Sequence, residues 1–382
     1  MSGFVFSEKP IQIERGEGPY LYTDDGTEYL DFGASYAVAA LGHAHPRVTE
    51  AVQQQVEDLV YVQASYPNST RTELYEKLAA LSPADGECTL DNVWLCNSGT
   101  EANEAAMKFA RNATGRSKIV ATRRGFHGRT MGALAMTWKD KYKKPFEPLA
   151  GDIEFVTYGD TEELEAAVDE ETAAVFLEPI QGEGGIHPAS TEYLGAAREF
   201  TGDAGAALVF DEIQTGVGRT GTLWACEQAG VVPDMLTAAK GIANGLPLGA
   251  TLCADWIADA DPEHGSTFSG GPVVCAAANA TLDTIVEEDV PGNAAQVGEY
   301  LRSEIERATE EHDLPIREVR GLGLMIGIEV KRGSNRLLRD LALNEQVLAL
   351  PAGRTVLRLL PPLTIEEEHA DRMVDALVEV MT

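Results

Sequence analysis

Lysine is scarce in this chain, long apolar runs are missing, and the cysteines are too few and too scattered for a disulfide framework. Thirty bases, only ten of them lysine, stand against 61 acidic residues, giving a net charge of −31 over 382 residues. A chain so acidic is repelled by nucleic acid and by anionic membrane surfaces, which excludes both as partners of the molecule as a whole. No stretch of 18 apolar residues occurs, so no segment reads as a transmembrane helix, and residues 1–9 (M-S-G-F-V-F-S-E-K) lack the apolar core of a signal peptide. The five cysteines, Cys88, Cys96, Cys226, Cys253 and Cys275, are odd in number and contain no C-x-x-C pair. Free thiols in a reducing compartment are expected, and with them a soluble cytoplasmic protein.

What is present is otherwise ordinary for a globular protein, with 44% hydrophobic and 24% charged residues. The acid excess points to a high-salt cytoplasm such as that of a halophilic archaeon, where ions screen the self-repulsion within a few Å, and it implies poor stability at low salt. The length exceeds one simple core, so a large domain with a smaller companion is expected.

Residues 21–32 (L-Y-T-D-D-G-T-E-Y-L-D-F) read as two strands about a D-D-G turn. A helix opens at His45-Pro46-Arg47, with Val48, Val52, Val56 and Leu59 at a period near four. Strands then alternate with helices: strands at 93–96, 118–121, 173–177, 206–210 and 248–252, helices at 101–111 and 191–200. This rhythm predicts an α/β fold whose mostly parallel sheet is flanked by helices, with ligands at the carboxyl ends of the strands. Beyond residue 281 the texture changes to helices at 281–287 and 293–312, strands at 316–319, 324–330 and 355–360, and a last helix at 365–381, which suggests a smaller α+β domain.

The chemistry begins at Asp211, which ends the run A-A-L-V-F, and Lys240, which follows the apolar M-L-T-A-A. A buried lysine has a lowered pKa and can offer a free amine for a Schiff base, while a strand-end carboxylate can face a pyridine nitrogen; together they suggest a pyridoxal phosphate enzyme. A structural cap would explain Asp211 equally. N-S-G-T-E-A-N-E (97–104) stands between strand and helix, where small residues and hydroxyls make an anion cradle or an ordinary N-cap. In G-F-H-G-R-T (125–130) an aromatic can stack on a ring and an arginine can take a carboxylate, unless both belong to a surface turn. His43, His45 and His127 lack companions at metal-site spacing, so no metal is expected.

N-S-G-T-E-A-N-E-A, F-H-G-R-T-M-G, E-P-I-Q-G-E-G-G, D-E-I-Q-T-G-V-G-R-T-G and the flanks of Lys240 resemble, in order and over nearly the whole chain, the class III aminotransferases of the acetylornithine and ornithine type. The resemblance implies pyridoxal phosphate, the fold type I architecture, and a homodimer with active sites at the subunit interface. It implies a large cofactor-binding domain at 46–280 and a small domain built from 1–45 and 281–382. By motif, Ser98, Gly99 and Thr100 would hold the phosphate, Phe126 would stack on the ring, Asp211 would pair with the ring nitrogen and Gln214 would lie near the ring hydroxyl. Lys240 would carry the cofactor and shuttle the proton. Thr267 would reach the neighbouring subunit's phosphate, with Ser266 close to substrate. Arg129 would take the distal carboxylate and Arg358 the α-carboxylate of glutamate, with Glu183 covering Arg358 when the other amine donor is bound. T-F-S-G-G-P (267–272) departs from the family's T-F-G-G-N-P by placing Gly271 at the asparagine position.

The segment S-Y-A-V-A-A-L-G-H (35–43), with Tyr36 and Ala39 where acetylornithine enzymes carry isoleucine and asparagine, resembles the enzymes acting on substrates tethered to an amino-group carrier protein (LysW). Residues 137–149 and 347–358 point the same way. That subfamily exchanges the terminal amine between glutamate/2-oxoglutarate and carrier-bound aminoadipate semialdehyde or glutamate semialdehyde, in lysine and arginine synthesis; acetylornithine aminotransferase is the alternative. The stretch W-K-D-K-Y-K-K (138–144) holds four of the ten lysines. It is either a solvated loop or a docking patch for an acidic carrier.

Overall fold

The computed structural model describes residues 9–86 and 88–382. The expectation for residues 1–9 therefore falls, Lys9 aside, outside the described residues.

Seven strands form the central sheet: β1 (Asn92–Cys96), β2 (Lys118–Thr122), β3 (Asp152–Val156), β4 (Thr172–Leu177), β5 (Ala207–Asp211), β6 (Met235–Ala238) and β7 (Gly249–Cys253). Their order is β1-β7-β6-β5-β4-β2-β3. Neighbours pair in parallel except at β7, which runs antiparallel to both β6 and β1. The central parallel strands are buried on both faces, as sheets covered by helices require: every residue of β4 and β5 is buried. Phe176 and Phe210 are fully buried within these two strands, each contributing roughly 1.5–3 kcal/mol of apolar burial.

Several expected elements shift. The helix expected at 101–111 runs Gly99–Thr114, closed by Gly115 in the left-handed region at φ 69°. Edge strand β3, strand β6 and the helix Ser69–Ala80 were not anticipated. The helix expected from residue 281 begins at Pro272 and runs to Glu287, so the expected domain boundary at 280/281 lies inside one continuous helix. Gly271, where the family carries asparagine, is the N-cap of that helix.

Two further sheets have four strands each. The strands Ile13–Glu17, Tyr20–Thr23 and Glu28–Asp31 are joined by Val347–Leu348, which pairs in parallel with Glu28–Asp31 and so ties the two ends of the chain together. The other sheet is antiparallel, in the order Ile316–Leu322, Met325–Val330, Val356–Leu359, Leu350–Ala352. Four cysteines are buried, Cys88 is partly so, and all five are free thiols. Among the described residues no helix is long and apolar enough to cross a membrane.

Candidate active site

The carboxyl ends of β1, β2, β4, β5 and β6 converge on one cavity of about 410 Å³. It is lined by Ser98, Gly99 and Thr100 after β1, Phe126 and Arg129 after β2, Glu178 and Glu183 after β4, Asp211 and Gln214 at the end of β5, and Lys240 after β6. Ten of the residues singled out in the sequence or adjacent to its motifs thus meet in one place, although they come from five strands.

Asp211 is the last residue of β5 and is almost fully buried. Its Oδ2 accepts hydrogen bonds from His127 Nδ1 at 2.8 Å and Asn103 Nδ2 at 2.7 Å, and its Oδ1 from the Ile213 backbone N–H at 3.1 Å. Asn103 is oriented by Thr237, whose hydroxyl donates to Asn103 Oδ1 at 2.9 Å. His127, set aside as a metal ligand, therefore has a place: it braces the strand-end carboxylate. Burial pulls its pKa down, but the Asp211 hydrogen bond and the charges of Asp211 and Glu178 outweigh this and hold it above the ordinary histidine value. Among the described residues no group of three or more His, Cys, Asp or Glu is arranged to hold a metal ion.

Lys240 stands in the left-handed region at φ 46°, at the start of a short 3-10 turn. Backbone strain of this kind collects at functional sites. Burial lowers its ammonium pKa below the ordinary lysine value; Asp211 opposes this and Arg358 adds to it. Glu178 receives the backbone N–H groups of Phe126 at 3.0 Å and Gly182 at 3.3 Å. Burial raises its pKa well above the usual carboxylate range, with His127 opposing and Asp211 reinforcing.

The N-cap reading of the 97–104 motif is seen directly. Ser98 is the N-cap of the helix Gly99–Thr114, accepting from Glu101 N–H, and the same helix N-terminus lines the cavity. Thr100 spends its hydroxyl on the 125–130 loop, meeting Thr130 Oγ1 at 2.8 Å and accepting from the Arg129 N–H at 3.2 Å. What this stretch offers an anion is therefore chiefly backbone N–H and helix dipole. Gly99 lets the helix start pack closely against Ile213, since a Cβ there would lie 2.6 Å from that side chain.

The two arginines differ sharply. Arg358 is fully buried: Nη2 meets Glu183 Oε1 at 2.6 Å and the Pro351 carbonyl at 3.1 Å, and Nη1 donates to Gln214 Oε1 at 3.2 Å. Burial works to raise the Glu183 pKa, but the charge and hydrogen bond of Arg358 win and hold it below the usual carboxylate value. Arg129 is exposed and, among the described residues, has no carboxylate partner; its guanidinium lies 3.7 Å from the Tyr142 ring centroid and 5.6 Å from that of Phe126. Tyr36 reaches Arg358, its ring centroid 5.3 Å from the guanidinium carbon, from a left-handed turn over Ala34–Ala37. Three expected residues are not among those lining the cavity: Arg358, which is held by the lining residues Glu183 and Gln214, and Ser266 and Thr267. Ser266 accepts a hydrogen bond from Asn97 Nδ2 at 3.2 Å, and Thr267 is exposed with its carbonyl bound by the Tyr61 hydroxyl.

A helix N-terminus for an anion, a braced buried carboxylate and a low-pKa lysine in one cavity have the donor set that pyridoxal phosphate requires. The class-III aminotransferase family model matches residues 6–381. The chain belongs to that family, and it is a pyridoxal phosphate-dependent aminotransferase. It is 45% identical to the LysW-aminoadipate semialdehyde transaminase of Deinococcus radiodurans, over 99% of this chain and 87% of that protein. It is 42% identical to the acetylornithine aminotransferase of Methanopyrus kandleri, over 99% and 96%. Among solved structures, the ornithine aminotransferase of Toxoplasma gondii, seen with partially occupied PLP, aligns with a TM-score of 0.92 at 30% identity, covering 99% of this chain and 92% of that one.

Proposed function

We propose that this aminotransferase moves a terminal amine between glutamate/2-oxoglutarate and carrier-bound aminoadipate semialdehyde or glutamate semialdehyde, in lysine or arginine synthesis. The observation that carries the two-substrate reading is the contrast between an open Arg129 and an Arg358 closed by Glu183. The similarity to relatives named for LysW-linked substrates in Deinococcus radiodurans and Sulfurisphaera tokodaii, at 45% and 42% identity, supports the carrier-bound substrate.

When bound, pyridoxal phosphate supplies an electron sink for the carbon that loses a proton. Ser98, Gly99 and Thr100 would hold its phosphate, Phe126 its ring face, Asp211 its ring nitrogen and Gln214 its hydroxyl side. Lys240 Nζ would bind the cofactor and move the proton. Arg129 fixes the distal carboxylate by a two-pronged hydrogen bond, and Arg358 takes the α-carboxylate once Glu183 turns away. Glu183 on Arg358 neutralises that end of the cavity for a substrate without a carboxylate there. Ser266 and Thr267 belong to this reading through a homodimer, in which the exposed Thr267 would serve the neighbouring cavity. We further place the enzyme in a high-salt cytoplasm, with residues 1–45 and the chain beyond the helix Pro272–Glu287 forming its smaller domain.

Arg129→Ala should weaken both half-reactions, and Arg358→Ala chiefly the one with glutamate. Single-turnover spectra of each half-reaction test this, and equal losses for Arg358→Ala in both would contradict the exchange with Glu183.

The assay that decides the substrate compares amine transfer from glutamate to carrier-bound and to acetylated semialdehyde. The basic segment refines it. Lys139 Nζ donates to the Glu183 carbonyl at 3.1 Å, Lys143 lies 4.3 Å from the Phe155 ring centroid, and Lys144 pairs with Asp140 at 2.8 Å. Lys141, 4.8 Å from the Tyr142 ring centroid, and Lys144, in its open surface pair, are the two exposed lysines of the segment and so the ones that can meet an acidic carrier. Lys141→Glu with Lys144→Glu should raise KM for the carrier-bound substrate and leave that for N-acetylornithine unchanged. A change in both, or in neither, would reduce the segment to a solvated loop.

A further inference from the structure

Arg358 is not the only arginine on its face of the sheet. Arg320 on Ile316–Leu322 stands opposite Gly327 on Met325–Val330, and Gly327 stands opposite Arg358 on Val356–Leu359. Directly opposed residues project to the same side. Two arginines therefore flank a glycine in one cross-strand row.

The missing side chain at Gly327 is filled by the turn that carries Glu183. A Cβ built there would lie 2.8 Å from Ile186 Cβ and 3.3 Å from the Gly185 carbonyl oxygen. Glu183 belongs to a four-residue helical turn, Gly182–Gly185, which ends at Ile186 in the left-handed region with φ 56° and ψ 70°. For a β-branched residue this conformation is a true outlier, and the surroundings must hold it. Ile186 is fully buried in a small cluster with Ile180, Met325 and Leu360.

Arg320 grips this strained point. Its Nε donates to the carbonyls of Gly185 at 3.0 Å and Ile186 at 2.9 Å, and its Nη2 donates to Gly185 at 2.8 Å. Its Nη1 is held by Glu318 at 2.6 Å and Glu329 at 2.8 Å, so the fork is fixed from behind. The guanidinium is buried and planar, which suits it to two adjacent carbonyls in a way a lysine cannot match.

We propose that Arg320 is a positioning residue for Glu183: by clamping the Gly185–Ile186 backbone over Gly327 it keeps the Glu183 carboxylate on Arg358, and so sets the preference between the two amine substrates. This rests on the exchange at Arg358 proposed above. Loosening the clamp frees Arg358, which favours a ligand bringing its own α-carboxylate and disfavours one that needs Arg358 neutralised.

The test uses the holoenzyme and reads each half-reaction separately, with glutamate and with N-acetylornithine, alongside calorimetric binding of 2-oxoglutarate. Arg320→Gln should raise KM for N-acetylornithine about tenfold with kcat nearly kept, while KM for glutamate and Kd for 2-oxoglutarate fall. Arg320→Lys, which keeps the charge and donors on a single nitrogen but not the fork, should recover part of the shift. Gly327→Ala, which leaves every charge in place and pushes on Ile186, should move the ratio in the same direction, and it decides the matter if Arg320→Gln does not fold. Glu183→Gln serves as the reference. If it leaves the substrate ratio unchanged, the exchange itself is wrong. If it shifts the ratio while Arg320→Gln and Gly327→Ala leave it as in the parent, or lower both half-reactions equally, the clamp is overturned.

Discussion

Lys240→Ala is expected to lose the visible absorbance of covalently held cofactor together with nearly all turnover, about 10⁴-fold, the upper end of what one positioned proton-transfer group contributes. The physical ground is the setting of the amine. Burial lowers its pKa, so the neutral amine is reached more easily than at a solvated lysine, and the nearby Arg358 charge works in the same direction. The fold should survive, because Lys240 has no ion pair among the described residues and alanine makes its left-handed backbone no more strained than lysine does. Lys240→Arg should fare no better, since a guanidinium does not deprotonate. Absorbance spectra, far-UV circular dichroism and single-turnover assays check this, and visible absorbance retained in Lys240→Ala would remove the lysine from its assigned role.

Which parts of this site were legible in the sequence follows from how local each signal is. Asp211 and Lys240 stand directly after apolar runs, so a strand-end position could be read from neighbouring residues alone. The helix start at Pro272 could not: V-V-C-A-A-A-N-A is small and apolar all round, with Ala276, Ala277 and Ala278 all buried, and a helix without a polar face shows no amphipathic period. Strand β6 is four residues long and β3 is a half-exposed edge with two acids, so neither offers a clear alternation. The reversed direction of β7 leaves no mark on its composition.

His127 and Asn103 were hidden for another reason. Their partner lies 84 and 108 residues away, and a buried brace for a carboxylate has no spacing of its own. The available signal was their position inside F-H-G-R-T and T-E-A-N, the same motifs that supply Phe126 and Thr100. The closeness of Tyr36 to Arg358 was equally invisible, since it depends on a left-handed turn that non-glycine residues rarely adopt.

Asp211→Asn is expected to keep the cofactor bound and to cost about 10³-fold in turnover, the scale of losing one preorganised group in a water-excluded site. Three donors converge on the Asp211 carboxylate: His127 Nδ1, Asn103 Nδ2 and the Ile213 N–H. An asparagine offers one acceptor oxygen and an NH₂ that must face one of those donors, so the brace is broken as well as the charge removed. His127 then loses the hydrogen bond and the charge that hold its pKa up, leaving burial to push it down against Glu178 alone. Neither neighbour can stand in, because His127 and Asn103 present donors toward this point. Two measurements separate charge from geometry. Loading the variant with a pyridoxal phosphate analogue methylated on the ring nitrogen, which is cationic whatever stands opposite it, should return a substantial part of the lost rate. His127→Gln, which keeps the Asp211 charge and a hydrogen-bond donor, should lose far less than Asp211→Asn. Near-normal turnover in Asp211→Asn would mean that another acid faces the ring nitrogen, and Glu178, buried beside the same histidine with its pKa raised, would be the one to examine.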